Sequence, residues 1–275
     1  MGFTPGQHAP TASGHPVEVE GLVARYGEET VLDGVDFRAG RGLVTVVLGG
    51  SGCGKSTLLR HTLGLLSPAA GTIRLLGREL STLRDAELRD LRSRVGVLFQ
   101  GGALFSSMTV GENVAMVIRE TTSVPEPVVA QMVRMKLALV GLEDAVAKHP
   151  EELSGGMRKR AALARAIAVD PEILLCDEPS AGLDPIVAAE LDDLLLNLKR
   201  LFGMTIVVVT HELASVRKIA DWIVMLDAGR VIARGTPEQV MGSPHPLVRD
   251  FFARTPRGAR ASGASLWAEM ERHSR

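Results

Sequence analysis

The chain has 275 residues, with 31 Lys plus Arg against 32 Asp plus Glu and a formal net charge of −1. That balance, with aromatics at only 4%, excludes a basic nucleic-acid-binding surface and a base-stacking platform. The two cysteines, Cys53 and Cys176, form neither a disulfide framework nor a metal-ligand spacing, so they read as free thiols of a reducing compartment.

The first stretch, "MGFTPGQHAPTASGHP", has no basic start and no apolar run. Residues 1–15 are therefore expected to be a disordered leader and not a signal peptide. "VEVEGLVARY" and "GLVTVVLGG" predict strands, the second buried. "GKSTLLRHTLGLL" predicts a helix, "GTIRLLGREL" a short strand pair, "LRDAELRDLRSR" a charged helix and "VGVLFQ" a buried strand. A helical pattern spans Val124 to Val146, with Met132, Met135, Leu137 and Leu139 in an apolar-rich face. "GMRKRAALARAIAVD" predicts a helix after a Gly pair, and "EILLCD" a strand. "PIVAAELDDLLLNLKRLFG" predicts a long helix ending at a Gly C-cap. "MTIVVVTH" then predicts a strand, "LASVRKIA" a helix, and "WIVMLDAGRVIARG" a hairpin turning at "DAGR". No uninterrupted apolar run approaches the ~20 residues that span a bilayer.

Val/Ile-rich strands alternating with long helices predict an α/β fold with a mainly parallel sheet and helices on both faces. The body spans 16–254, and the helical stretch between Val124 and Gly156 interrupts the alternation as a subdomain. After Arg254 a Gly/Ser/Arg-rich tail, 255–275, turns amphipathic around Leu266, Trp267 and Met270. It reads either as disorder or as a docking peptide.

"GGSGCGKST" comprises Gly49, Gly50, Ser51, Gly52, Cys53, Gly54, Lys55, Ser56 and Thr57. Gly49, Gly54, Lys55 and Ser56 occupy the positions of a phosphate-binding loop. Glycines let backbone amides approach an anion closely, and the following helix aims its N-terminus at the phosphates. Lys55 neutralises the β- and γ-phosphates, Ser56 offers its hydroxyl to Mg²⁺, and Cys53 is a small filler. "LLCDEP" ends a core strand in two acids, Asp177 and Glu178. Burying both is costly without a cation. Asp177 would hold Mg²⁺ through its hydration shell, and Glu178 would polarise the attacking water. Such a chain is a nucleoside triphosphatase. "ELSGGMRKRAALARAI" adds a second anion-binding helix start at Ser154, Gly155 and Gly156. One phosphate loop and a second such start imply a composite site completed by a partner copy.

From about Val17 to Gly235 this order of motifs resembles the ATP-binding-cassette ATPases. The resemblance implies a P-loop ATPase fold with a mainly parallel core sheet, a small antiparallel β subdomain and a helical subdomain at about 101–165. It implies that Tyr26 stacks on adenine and that Gln100 senses Mg²⁺ and the attacking water. "LSGGM" corresponds to the signature motif, "SAGLD" carries Asp184 across a dimer interface, and His211 is the switch histidine at the γ-phosphate. Met157 departs from the family's usual glutamine, which puts that side chain's role in doubt. It leaves the backbone amides of Gly155 and Gly156 in place.

The run from Leu98 to Leu183, with "LFQ", "GALF", "MKL" and "LSGGM", is similar to the ATPases of MCE-type lipid transporters, including the Mla phospholipid systems. That resemblance implies ATP and Mg²⁺ as cofactors and a homodimer. It also implies a separate permease dimer, an MCE-domain lipid-binding protein, a small regulatory subunit and a peripheral place on the cytoplasmic face of the inner membrane. Gly101, Gly102, Ala103, Leu104 and Phe105 look like an exposed apolar seat for the permease. An importer of another solute, such as amino acids or metals, shares every catalytic motif, and Gly101–Glu120 is the discriminating segment. A soluble cassette ATPase acting on ribosomes or DNA usually carries two cassettes or a long coiled coil, and this sequence has neither.

Overall fold

Two sheets organise residues 14–253, which the computed structural model describes. The tail reading at Leu266, Trp267 and Met270, and the leader reading as far as residue 13, lie outside the described residues. The first sheet is antiparallel. Its strands are β1 (Val17–Tyr26), β2 (Glu29–Ala39), β4 (Ala70–Leu75) and β5 (Arg78–Glu79), in the order β2-β1-β4-β5. The second contains β3 (Val44–Gly49), β6 (Val95–Leu98), β7 (Ile173–Asp177), β8 (Thr205–Thr210), β9 (Trp222–Asp227) and β10 (Arg230–Gly235). Its order is β10-β9-β3-β8-β7-β6, and every neighbouring pair except β9–β10 is parallel.

Every residue of β3 and β8 is buried, as unbroken Val/Ile runs predict for a strand covered on both faces. Side chains alternate across the sheet. Val44, Val46 and Leu48 enter one core with the helices, and Val47 enters a second core with the antiparallel sheet. Helices lie on both faces, as expected, and on one of them an antiparallel sheet shares the cover. On the second face the antiparallel sheet covers the core together with α1 (Lys55–Thr62) and α2 (Asp85–Ser93).

The first face holds α3 (Val110–Thr121), α4 (Glu126–Leu139), α5 (Gly155–Ala166), α6 (Pro185–Phe202) and α7 (Leu213–Ile219). The helix expected over Val124–Val146 is shorter. Gly141 takes φ 67° after α4, and a 3₁₀ turn follows at Glu143–Ala145. Met135 is 57% exposed, so it does not belong to the buried face; Val129, Val133 and Leu137 form it at i, i+4 spacing. These residues join the same core as Val46 and Leu48.

Asp184 caps α6, and Gly203, at φ 63°, ends it as the expected C-cap. The "DAGR" hairpin is present, with Ala228 at φ 44° and Gly229 at φ 75°. Strand β2, helix α3, and the short helices α8 (Pro237–Met241) and α9 (Pro246–Phe252) lie outside the elements the sequence predicts.

Candidate functional site

The C-terminal ends of β3, β7 and β8 converge, where open parallel sheets form their ligand crevices. After β3, Gly52 (φ 78°) and Gly54 (φ 100°) turn the backbone through the left-handed region. A Cβ at Gly54 would lie 2.5 Å from Leu32 Cδ2, so bulk is excluded as well. Lys55, 8% exposed, folds back over this loop. Its Nζ donates to Gly49 O and Gly50 O, each at 2.9 Å, and lies 3.9 Å from Glu178 Oε1. Cys53, within the loop, is buried, and burial pushes its thiol up.

Ser56 Oγ donates to Asp177 Oδ1 at 3.1 Å across 121 residues of sequence. Burial pushes Asp177 above the ordinary carboxylate range, and the hydroxyl bond from Ser56 opposes this. A hydroxyl and a carboxylate are hard oxygen donors, a set suited to Mg²⁺. A cation there would offset the burial cost of Asp177. Among the described residues no group of three or more His, Cys, Asp or Glu could hold a metal. Remaining ligands would therefore come from phosphate, water or the Gln100 amide. Cys176 is fully buried with its thiol pushed up, and it is not a thiolate donor.

Glu178 is the most constrained member. It is 7% exposed and has φ 46°, a left-handed backbone that a non-glycine residue keeps only where surrounding contacts enforce it. Its N–H donates to Val209 O at 2.8 Å. Oε2 accepts from Thr210 Oγ1 at 3.1 Å, and Oε1 lies 2.8 Å from His211 Nδ1. An ionised carboxylate only accepts, so Nδ1 is the donor in that pair. Lys55, Thr210 and His211 thus clamp both oxygens, and the His211 side chain remains 47% exposed.

The remaining candidates stand outside this bonded cluster. Tyr26 ends β1 and is 46% exposed. The main-chain oxygen of the exposed Gln100 accepts from Lys159 Nζ. Ser154 caps α5 by accepting from Met157 N at 3.2 Å. Gly155 and Gly156 form its first turn, and a Cβ on Gly156 would lie 2.5 Å from Val187 Cγ1 of α6. Met157 is half-buried against the core, an apolar role that glutamine would not fill. Asp184 Oδ1 accepts from Ile186 N at 3.1 Å and Val187 N at 3.0 Å. The supposed apolar turn is corrected in part. Gly102 is buried and Leu104 half-buried, so the large exposed side chains there are Phe105 and Phe99.

Sequence reasoning missed Thr210, Lys159 and Asn113. Thr210 directly precedes His211 in "VVVTH", which is a usable signal. Asn113 is fully buried in α3. Its amide donates to Phe105 O, Met108 O and Thr109 O, and its oxygen accepts from Phe105 N. It shapes the loop that presents Phe105.

The family described as ABC transporter matches residues 32–181. The intermembrane phospholipid transport system ATP-binding protein MlaF of Haemophilus influenzae is 42% identical over 236 residues, covering 86% of this chain and 89% of that protein. The probable ribonucleotide transport ATP-binding protein mkl of Mycobacterium tuberculosis is 41% identical over 255 residues, covering 90% of this chain and 71% of that protein. The structure of cbiO1 from Clostridium perfringens, part of the ABC transporter complex cbiONQ, superposes with a TM-score of 0.77 at 32% identity over 89% of this chain and 97% of that one. The dimeric ATP-binding cassette MJ0796 bound to ADP and Pi gives a TM-score of 0.74 at 29% identity over 80% of this chain and 98% of that one.

Proposed function

The chain belongs to the ABC transporter family, and on that premise we propose that it hydrolyses ATP to drive phospholipid transport between membranes through a separate permease. The carrying observation is the clamp on Glu178 by Lys55, Thr210 and His211, supported by the 42% identity to a phospholipid transport ATP-binding protein.

The amides of residues 50–55 and the N-terminus of α1 bind the phosphates, with Lys55 turning from its loop carbonyls to the β- and γ-oxygens. Ser56, Asp177 and Gln100 would hold Mg²⁺, which when bound draws negative charge off the phosphate oxygens. Glu178 takes the proton from the attacking water, and His211 and Thr210 fix the direction of its carboxylate. Tyr26 stacks on adenine. A second copy supplies Ser154, Gly155, Gly156 and Asp184, so two chains close head to tail on two ATP molecules. The dimeric cassette neighbour supports this arrangement. Closure is a population shift, driven by the higher ATP affinity of the closed state.

The segment Gly101–Phe105 seats the permease through Phe105. The complex also includes an MCE-domain lipid-binding protein and a small regulatory subunit. The chain sits peripherally on the cytoplasmic face of the inner membrane. No helix among the described residues is long and apolar enough to cross it.

The test is to purify tagged Glu178→Gln protein from native membranes with ATP and Mg²⁺ and identify what accompanies it. A permease, an MCE-domain protein and bound phospholipid support the reading. The mkl relative's name makes ribonucleotide the competing cargo, and a permease with bound ribonucleotide would replace the lipid. Ribosomes or DNA without a permease would overturn transport altogether.

A further inference from the structure

Helix α5 buries a lysine, Lys159, at 7% exposure. Its ammonium donates to two main-chain carbonyls, Gln100 O and Glu178 O, the second at 3.1 Å. A buried ammonium loses its hydration and must replace it with acceptors. The acceptors here are neutral carbonyls of two residues in the proposed hydrolytic set, which are 78 positions apart in sequence (Gln100 and Glu178). Burial pulls the lysine's pKa down, against the attraction of the Asp177 and Glu178 carboxylates.

Two further observations bear on this contact. Glu178 holds a left-handed backbone at φ 46°, and both of its main-chain polar groups are bonded. The N–H goes to Val209 O at 2.8 Å, while the carbonyl accepts from Lys159 and from Ala181 N at 3.2 Å. Lys159 thus helps to enforce the conformation that aims the carboxylate at Thr210 and His211. In addition, Lys159, Ala162 and Arg165 recur every three residues on one face of α5. The backbone from Gln100 to Ala103 lies along that face. A Cβ at Gly102 would lie 3.3 Å from Ala162 Cβ, and Arg165 donates to Gly102 O at 3.0 Å and to Ala103 O at 2.5 Å.

We propose that Lys159 is a positioning residue for hydrolysis, holding the Gln100 and Glu178 main chains in one register and tying the nucleotide site to the loop that leads to Phe105. The inference rests on the ATPase reading above. Its chemistry requires at least two hydrogen-bond donors at one buried point. Arginine supplies them with the needed reach, glutamine ends one bond short of the ammonium's place and cannot bridge both carbonyls, and methionine supplies no donor.

The test uses the full-length chain with its co-purifying membrane partners, as wild type, Lys159→Met, Lys159→Arg, Lys159→Gln and Glu178→Gln. Steady-state kcat and KM for ATP are measured beside melting temperature. Lys159→Met is expected to lower kcat about tenfold or more with KM changed less than about twofold, the signature of a lost alignment and not of lost binding. Lys159→Arg is expected to return kcat to within about threefold of wild type. If Lys159→Met does not fold, Lys159→Gln replaces it, and a lowered kcat at unchanged KM again supports the proposal. Wild-type kcat in a folded Lys159→Met or Lys159→Gln protein overturns it. So does a kcat loss matched by an equal rise in KM, or a failure of Lys159→Arg to rescue. A wild type without turnover, or a Glu178→Gln protein that hydrolyses normally, overturns the ATPase reading and this inference with it. Normal Lys159 variants beside an inactive Glu178→Gln protein overturn this inference alone.

Discussion

His211 Nδ1 lies 2.8 Å from Glu178 Oε1, although the two residues are 33 positions apart and sit at the ends of adjacent strands β8 and β7. The strand register makes this contact. Asp177 pairs with Val209, so the residues after each strand emerge side by side. A general base held in one direction before substrate arrives needs less reorganisation during the reaction.

Replacing Glu178 by glutamine keeps the size of the side chain and one acceptor oxygen, and removes the ability to take a proton. Turnover should fall more than about 100-fold, while ATP affinity changes less than about threefold. Steady-state hydrolysis and a nucleotide-binding titration check both halves. Substantial residual hydrolysis would remove Glu178 from its assigned role.

Gly156 has no room for a side chain, because a Cβ would lie 2.5 Å from Val187 Cγ1. Gly156→Ala must push α5 away from α6 or force Val187 off its rotamer, a change worth about 1–3 kcal/mol. A lower melting temperature is expected, and pairing with Val187→Ala should recover most of the loss. The double variant therefore separates the steric effect from any effect on the anion-binding turn.

Asn113 makes four hydrogen bonds to the loop before α3 and is fully buried. Asn113→Ala leaves those backbone groups without their partner and should cost about 2–4 kcal/mol by denaturant unfolding. Because the same loop presents Phe105, permease co-purification should weaken in this variant even where ATP binding by the folded protein is unchanged.

Asp192 of α6 is 3% exposed, and its Oδ1 has no hydrogen-bond partner among the described residues. Burial pushes its carboxyl above the ordinary value of 3.8, while the bond from Ser215 and the charge of Lys218 oppose this. The folded state therefore binds this proton more tightly than the unfolded state does. The resulting stabilisation is fully present below the unfolded pKa and is lost as pH rises through the folded one. Melting temperatures of wild type and Asp192→Asn should diverge as pH rises from about 4 to about 8, with wild type losing ground. Parallel curves would show that Asp192 does not titrate in this way.

Much of this molecule is legible from short stretches. The phosphate loop needs a fixed backbone path over contiguous residues, and glycine at positions 49 and 54 announces it. Two of its sharpest conformations, at Gly52 and Gly54, are indeed left-handed. Unbroken Val/Ile runs announced β3 and β8 as fully buried strands. Strand β2 was hidden because Asp33 and Gly34 interrupt its alternation, and Gly34 takes φ 68° there. Met135 was misplaced because α4 is amphipathic over a narrower arc than its apolar content suggests, with Val129, Val133 and Leu137 filling the buried side.

Local backbone geometry depends on neighbouring residues, so the sequence alone specified the loop, the helix start at Ser154, the Gly203 C-cap and the alternation of strands and helices. Which side chains meet across the fold depends on strand register and helix packing, which are set by burial summed over the whole core. For that reason the clamp on Glu178 by Thr210 and His211 appeared only in three dimensions, as did the reach of Lys159 to two distant carbonyls and the shaping of the Phe105 loop by Asn113.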